Sequence, residues 1–254
     1  MIHYMEVWKA FDAPVLEGLN LMVREGETFG IFGPSGAGKS VLLKSTIGLI
    51  PLDRGDVQVA GESAYHGGSR ALERIRREVG YVFQNAALFD SLSVYENVEM
   101  GIPEDELKRM RRPEASRRIW EALELANLEP REVLEKLPAE LSGGMKKRAG
   151  IARAIVGRPC ILLWDEPTTG LDPVNTAAVE RLIMRLTEQL EVTSVVVTHD
   201  IEGGLEMCDR VTMLEGGTLR FVGTPDEFRA CGDGIVRAFL DRAAAVAALD
   251  GEVY

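Results

Sequence analysis

The residues Gly33-Pro34-Ser35-Gly36-Ala37-Gly38-Lys39-Ser40 read G-x-x-x-x-G-K-S. They follow the apolar run Thr28–Phe32 and open into the helical pattern VLLKSTIGL, the strand–loop–helix order this motif requires. Glycines at such positions let backbone N–H groups converge on phosphate oxygens without Cβ clashes. The helix that follows adds its positive N-terminal end. Lys39 supplies a point charge to the β- and γ-phosphates, and Ser40 offers a hydroxyl to Mg2+. The motif in these flanks points to a nucleoside triphosphate. It does not say which kind of NTPase carries it.

A second set of residues fits the same chemistry. Ile161-Leu162-Leu163-Trp164-Asp165-Glu166 is an apolar strand ending in two carboxylates, and ligands of open α/β sheets sit at that end of the strands. Asp165 is placed to hold Mg2+, directly or through water, and Glu166 to polarise an attacking water. An apolar strand ending in Asp-Glu is also an ordinary feature. Leu141-Ser142-Gly143-Gly144-Met145 precedes the helical KKRAGIARAIVG, and Ser142 there reads equally as a simple N-cap. Taken one at a time, Gln84 in VFQ reads as a polar loop residue, Phe11 as a core aromatic and His199 in VVVTHD as a structural histidine.

The elements that must position these residues follow from periodicity. Thr28–Phe32, Val79–Phe83, Ile161–Trp164 and Ser194–Thr198 are short runs apolar on both faces, as buried strands are. Between them Ala115, Ile119, Leu123 and Ala126, and again Val179, Leu182, Ile183, Leu186 and Leu190, recur at helical spacing. Strands alternating with helices predict an α/β core with a mainly parallel sheet. Residues from about 92 to 157 show helical pattern without a convincing strand, which predicts a helical subdomain. Arg210–Leu214 and Thr218–Val222 flank Glu215-Gly216-Gly217 and predict a hairpin. The Ala-rich stretch from Gly234 predicts a helix to Gly251. It gives a C-terminal extension, 234–254, after a nucleotide-binding domain, 1–233.

Composition narrows the partners. The chain has 254 residues, 46% hydrophobic and 27% charged, the balance of an ordinary soluble globular protein. A formal net charge of −11 makes it a poor binder of nucleic-acid phosphates, so no nucleic-acid partner is expected. Cys160, Cys208 and Cys231 form no CxxC pair and their odd number cannot pair completely, which suits a reducing cytoplasm. The start MIHYMEVWKAFD has no basic segment followed by an apolar run, so no signal peptide is read. No stretch approaches the roughly 20 apolar residues that span a bilayer, so work at a membrane would require docking onto a spanning protein.

With these motifs in this order, the chain resembles the ABC ATPase family, whose signature is usually LSGGQ. The resemblance covers nearly the whole chain. It implies a P-loop NTPase of the ABC ATPase fold, with a RecA-like core sheet, an antiparallel β subdomain and an α-helical subdomain. It implies ATP and Mg2+ as cofactors. ATP would contact Phe11 through adenine stacking and the loop Gly33, Pro34, Ser35, Gly36, Ala37, Gly38, Lys39, Ser40 and Val41. Ser142, Gly143, Gly144 and Met145 would reach it from a second, head-to-tail copy, and Asp172 of the Thr169-Gly170-Leu171-Asp172 segment would join them. Ser40, Gln84 and Asp165 would hold the metal, and Glu166, His199 and Gln84 would serve catalysis. The partner would be an integral-membrane permease on another chain, with this protein peripheral on the cytoplasmic face of the inner or plasma membrane.

Two positions depart from the family pattern. Met145 stands where Gln is common, and it cannot donate a hydrogen bond. Val41 stands where Ser or Thr is usual, so one side-chain contact to phosphate is missing. With FQNAALFDSLSVYENV, GKSVLLK, LSGGMKKRAGIARA and the ending VRAFLDRAAA, they are similar to the Mla/Mce branch. That branch drives phospholipid or other lipid movement and works with Mce-type lipid-binding proteins. An ABC ATPase for another solute is the competing reading, followed by a non-transport ABC ATPase. The interval between Lys39 and Ser142 is too short for both the usual lobe and a long coiled coil, and a single phosphate loop argues against a two-site translation factor.

Overall fold

The computed structural model describes residues 1–251, with side chains described through Arg242. The chain begins β1 (Ile2–Ala10), β2 (Pro14–Val23), β3 (Thr28–Phe32), α1 (Lys39–Thr46), β4 (Arg54–Val59), β5 (Glu62–Ser63), α2 (Gly68–Glu78) and β6 (Val79–Val82). Helices α3 (Val94–Glu99), α4 (Glu104–Leu107), α5 (Arg112–Leu125), α6 (Pro130–Val133) and α7 (Gly143–Ile155) follow. Then come β7 (Ile161–Asp165), α8 (Pro173–Leu190), β8 (Thr193–Val197), α9 (Ile201–Met207), β9 (Arg210–Glu215), β10 (Thr218–Gly223), α10 (Pro225–Arg229) and α11 (Gly234–Gly251). Two compact units divide the chain, one made of residues 1–75 and 195–254 and the other of 76–194.

In the first unit an antiparallel sheet has the order β2-β1-β4-β5. None of its strands is legible from apolar runs, and the reason is physical. Along β1 the alternation that buries Ile2 and Tyr4 slips at Glu6, whose φ is 47°, so that Val7 is the next buried residue. Such a bulge flips the faces beyond it. In β2 the buried Leu16, Leu19, Leu21 and Val23 are interrupted at Gly18, φ 65°. Beside this sheet, β3 pairs in parallel with β9, and β9 forms the expected hairpin with β10. Gly216 and Gly217 both have positive φ, 53° and 74°, the two-residue turn whose twist suits a hairpin. Phe32 at the end of β3 packs against Phe228, centroids 5.7 Å apart. It also faces Gly204 of α9, where any Cβ would come within 2.5 Å of its ring.

In the second unit β6 and β7 run parallel, Val79 opposite Ile161 and Val82 opposite Trp164, and β7 is buried throughout. Among the described residues no strand lies between Val82 and Ile161; α3 to α7 fill that interval, as periodicity predicted. Ala115, Ile119, Leu123 and Ala126 are buried, as are Val179, Leu182, Ile183 and Leu186 of α8, whereas Leu190 is only half-buried. β8 lies across the boundary of the two units and is buried along its length. The Ala-rich C-terminal stretch is the helix α11, and positions 252–254 of the proposed extension lie outside the described residues. Among the described residues no helix is long and apolar enough to cross a membrane.

Candidate functional site

The phosphate loop occupies the first unit between β3 and α1. Gly33 has φ 145°, and a Cβ there would meet the carbonyl oxygen of Leu214 at 2.2 Å, so no other residue fits. Gly38, φ 99°, is the N-cap of α1 and passes within 3.0 Å of the Val15 carbonyl by the same measure. Lys39 is 4% exposed, and its Nζ donates to the carbonyls of Gly33 (2.8 Å) and Pro34 (3.0 Å). The ammonium is thereby held within the loop. Pro34, Ser35 and Gly36 are exposed, Ala37, Ser40 and Val41 half-buried. The first turn of α1 has no acidic residue. A helix start, a lysine and a hydroxyl with no carboxylate among them form a donor set suited to an anion.

A carboxylate corner occupies the second unit at the end of β7. Asp165 is 2% exposed, and the Tyr81 hydroxyl donates to its Oδ2 at 2.9 Å. Glu166 has φ 48°, left-handed backbone that costs a non-glycine residue about 1–2 kcal/mol. Its Oε2 accepts from Gln84 Nε2 (3.2 Å) and Thr169 Oγ1 (3.0 Å). With its amide nitrogen on Glu166, Gln84 has its amide oxygen as the end suited to a cation. Lys147 on α7 donates to the Gln84 main-chain carbonyl. Burial holds its pKa below the usual ammonium value, and the Glu166 carboxylate pulls it back up.

The remaining expected residues fall as follows. Ser142 N-caps α7, its hydroxyl accepting from Met145 N at 3.2 Å. Ser142 and Gly143 are exposed, Gly144 is buried against Asn175, and Met145 is half-buried. Asp172 N-caps α8 and gives both oxygens to Asn175, Oδ1 to its backbone N (3.0 Å) and Oδ2 to its Nδ2 (2.5 Å). These bonds, the Asn175 side chain first, hold its pKa below the usual carboxylate value. Asp-Pro at a helix start is a legible cap signal. In the first unit His199 is exposed just after β8, and the following Asp200 caps α9. Phe11 is 60% exposed with the Lys9 ammonium 5.1 Å from its ring centroid, so it is not a core aromatic.

Comparison with known proteins shows the family. The family model for the ABC transporter matches residues 16–169. The chain belongs to the ABC transporter family. It has the ABC ATPase fold and carries the family's ATP-binding, ATP-hydrolysing domain. It is 37% identical over 217 residues to the methionine import ATP-binding protein MetN of Clostridium tetani, covering 85% of this chain and 67% of that one. It is 38% identical over 227 residues to the probable ribonucleotide transport ATP-binding protein Mkl of Mycobacterium leprae, covering 89% of this chain and 64% of that one. The match thus spans about two thirds of the length of these relatives. The dimeric ATP-binding cassette MJ0796, solved in a post-hydrolysis state with ADP and phosphate, superposes with a TM-score of 0.81 at 32% identity. It covers 89% of this chain and 99% of that one.

The oxygen donors present are of a kind that Mg2+ would take. Among the described residues no group of three or more His, Cys, Asp or Glu could hold a metal ion by itself. Gln84 and Asp165 in the second unit, and separately the Ser40 hydroxyl in the first, are hard-oxygen donors, and Mg2+ is typically bound by one or two carboxylates with substrate phosphates and water completing the shell. Sequence reasoning missed Tyr81, Thr169 and Lys147, which hold this corner from positions three to 84 residues away from the groups they touch. Only Thr169, three residues from Glu166, carried a local signal.

Proposed function

We propose that the chain is the ATP-hydrolysing subunit of an ABC transporter, acting as a head-to-tail pair of copies docked on a separate membrane-spanning permease. The observation that carries this is the Glu166 corner, where hydrogen bonds from Gln84 and Thr169 fix one carboxylate oxygen of a long, otherwise flexible side chain. In this reading the loop 33–41 and Lys39 take the phosphates, and Phe11 stacks on adenine. Ser40, Gln84 and Asp165 hold Mg2+, which when bound neutralises charge on the phosphates. Glu166 orients water, and His199 contacts the γ-phosphate. Ser142, Gly143, Gly144 and Met145, with Asp172 nearby in the same unit, present the start of α7 to nucleotide held by the other copy. ATP then favours the paired state because that state binds it better, and hydrolysis removes the bridge. Catalysis on this plan is positioning and charge stabilisation.

The cargo we propose is phospholipid or a related lipid, delivered with an Mce-type lipid-binding protein. Support comes from the segments that resemble the Mla/Mce branch, above all ALFDSLSV. That segment also has a structural task. The buried Asn97 accepts from Phe89 N and donates to the carbonyls of Phe89, Leu92 and Ser93, while Ser93 and Glu96 form a capping box on α3. The second reading, another solute, is favoured by relatives whose names specify methionine and ribonucleotide. Purification from native membranes in mild detergent, with mass spectrometry of what accompanies the chain, separates them. A multi-spanning permease with an Mce-type protein and bound phospholipid is expected. A permease with a different solute-binding partner sinks the lipid assignment, and soluble partners alone sink the transporter.

A further inference from the structure

Two of the cations on helix α7, Lys147 and Arg153, reach the segment that follows β6. Lys147 is 8% exposed, and its Nζ donates to the Gln84 carbonyl at 2.5 Å. Further along the same helix, Arg153 donates from Nη1 to the Ala87 carbonyl (2.6 Å) and from Nη2 to the Ala86 carbonyl (2.7 Å). Between them Gly150 lets the segment approach, since a Cβ there would lie 3.1 Å from the Ala86 oxygen and 3.2 Å from its Cα. Ala86 and Ala87 have φ of 55° and 48°, a conformation alanine resists because its Cβ crowds the following carbonyl. Such backbone persists only where its surroundings hold it, and here three charge-assisted hydrogen bonds from one helix do so.

Gln84, whose carbonyl Lys147 grips, is also the residue whose amide holds Glu166. Glu166 in turn acts electrostatically on Lys147. We infer that Lys147, assisted by Arg153, is a positioning residue for hydrolysis. It fixes the backbone from which Gln84 reaches Glu166, so the alignment of that pair depends on α7, the helix opened by Ser142, Gly143 and Gly144. The inference rests on the reading of Glu166 as the group that orients water. The role inferred for Lys147 is indirect and passes through its bond to the Gln84 carbonyl.

The test uses the whole chain, with MgATP affinity and steady-state turnover measured for wild type, Lys147→Met, Lys147→Arg and Gly150→Ala. Lys147→Met is expected to lower kcat about tenfold, the scale of a small misplacement of a reacting group, with MgATP affinity changed less than about twofold. Lys147→Arg is expected to recover most of the rate. Gly150→Ala, which pushes on Ala86 with both cations intact, gives the same split in smaller measure, and it decides the matter if Lys147→Met does not fold. Unchanged kcat in Lys147→Met overturns the inference. So does a parallel loss of affinity and rate that Lys147→Arg does not recover, because that is the signature of general damage. A wild-type chain that binds MgATP and never turns it over overturns the ATPase reading and this inference together, a result distinct from both.

Discussion

The phosphate loop and the carboxylate corner are built in opposite ways. The loop is made by backbone: Gly33 and Gly38 in positive φ, a carbonyl of Leu214 that forbids any Cβ, a helix start without acid, and a lysine folded onto its own loop. Every part but the Leu214 carbonyl lies within a few residues. The corner is made by side chains from distant strands and helices: Tyr81 on Asp165, Gln84 on Glu166 and Lys147 on Gln84. A backbone site holds its ligand through geometry that a single substitution breaks outright. A side-chain site is a network whose members can be removed one at a time, with graded losses.

The largest effect should therefore come from the loop. Lys39→Met removes the only side-chain cation of the motif and is expected to weaken MgATP binding by about a hundredfold or more, the scale of losing strong charge-assisted contacts. Titration with a fluorescent nucleotide measures it, and binding within a few-fold of wild type would break the contrast. In the corner, Tyr81→Phe deletes one hydroxyl from Asp165. If Asp165 holds Mg2+ as proposed, this should raise the Mg2+ concentration needed for half-maximal ATP turnover about tenfold, as loss of a partner behind a metal ligand does. An unchanged Mg2+ dependence would mean Asp165 needs no such support.

The smallest effect concerns Asp172, whose carboxylate works as a helix cap. Its pKa in the folded chain is below its unfolded value, through Asn175. The stability it contributes is therefore present above the ordinary carboxylate range and is lost as pH falls through the depressed folded value. Asp172→Ala should lower the melting temperature modestly near neutral pH. The gap to wild type should close as pH falls below about 4. A gap that stays constant down to the acid-unfolding limit would remove the charge from the cap's contribution.

The same contrast explains what the sequence could tell. The loop, the strands β3, β6, β7 and β8, the hairpin and α8 were legible because short apolar runs, glycine pairs and helical spacing are local signals. The sheet of β1, β2 and β4 was not, because the bulge at Glu6 and the break at Gly18 spoil the alternation that would announce it. Ser142 was read as a cap and is one. Asp172-Pro173 likewise carries a local cap signal, and Asp172 caps α8. Tyr81 and Lys147 are a strand tyrosine and a helix lysine in an unremarkable context. Their task exists only once β6 lies beside β7 and α7 lies against the segment after β6.

The central claim is that capture of ATP and its hydrolysis belong to separable parts of this chain, joined in a pair of copies. Glu166→Gln tests it most directly, because the amide keeps the shape of the corner and loses the charge proposed to orient water. With MgATP added, light scattering coupled to gel filtration should show the variant as a stable dimer that binds nucleotide with wild-type affinity and turns over at least about a hundredfold more slowly. A variant that hydrolyses ATP at the wild-type rate, or that loses nucleotide binding with the charge, would contradict the account.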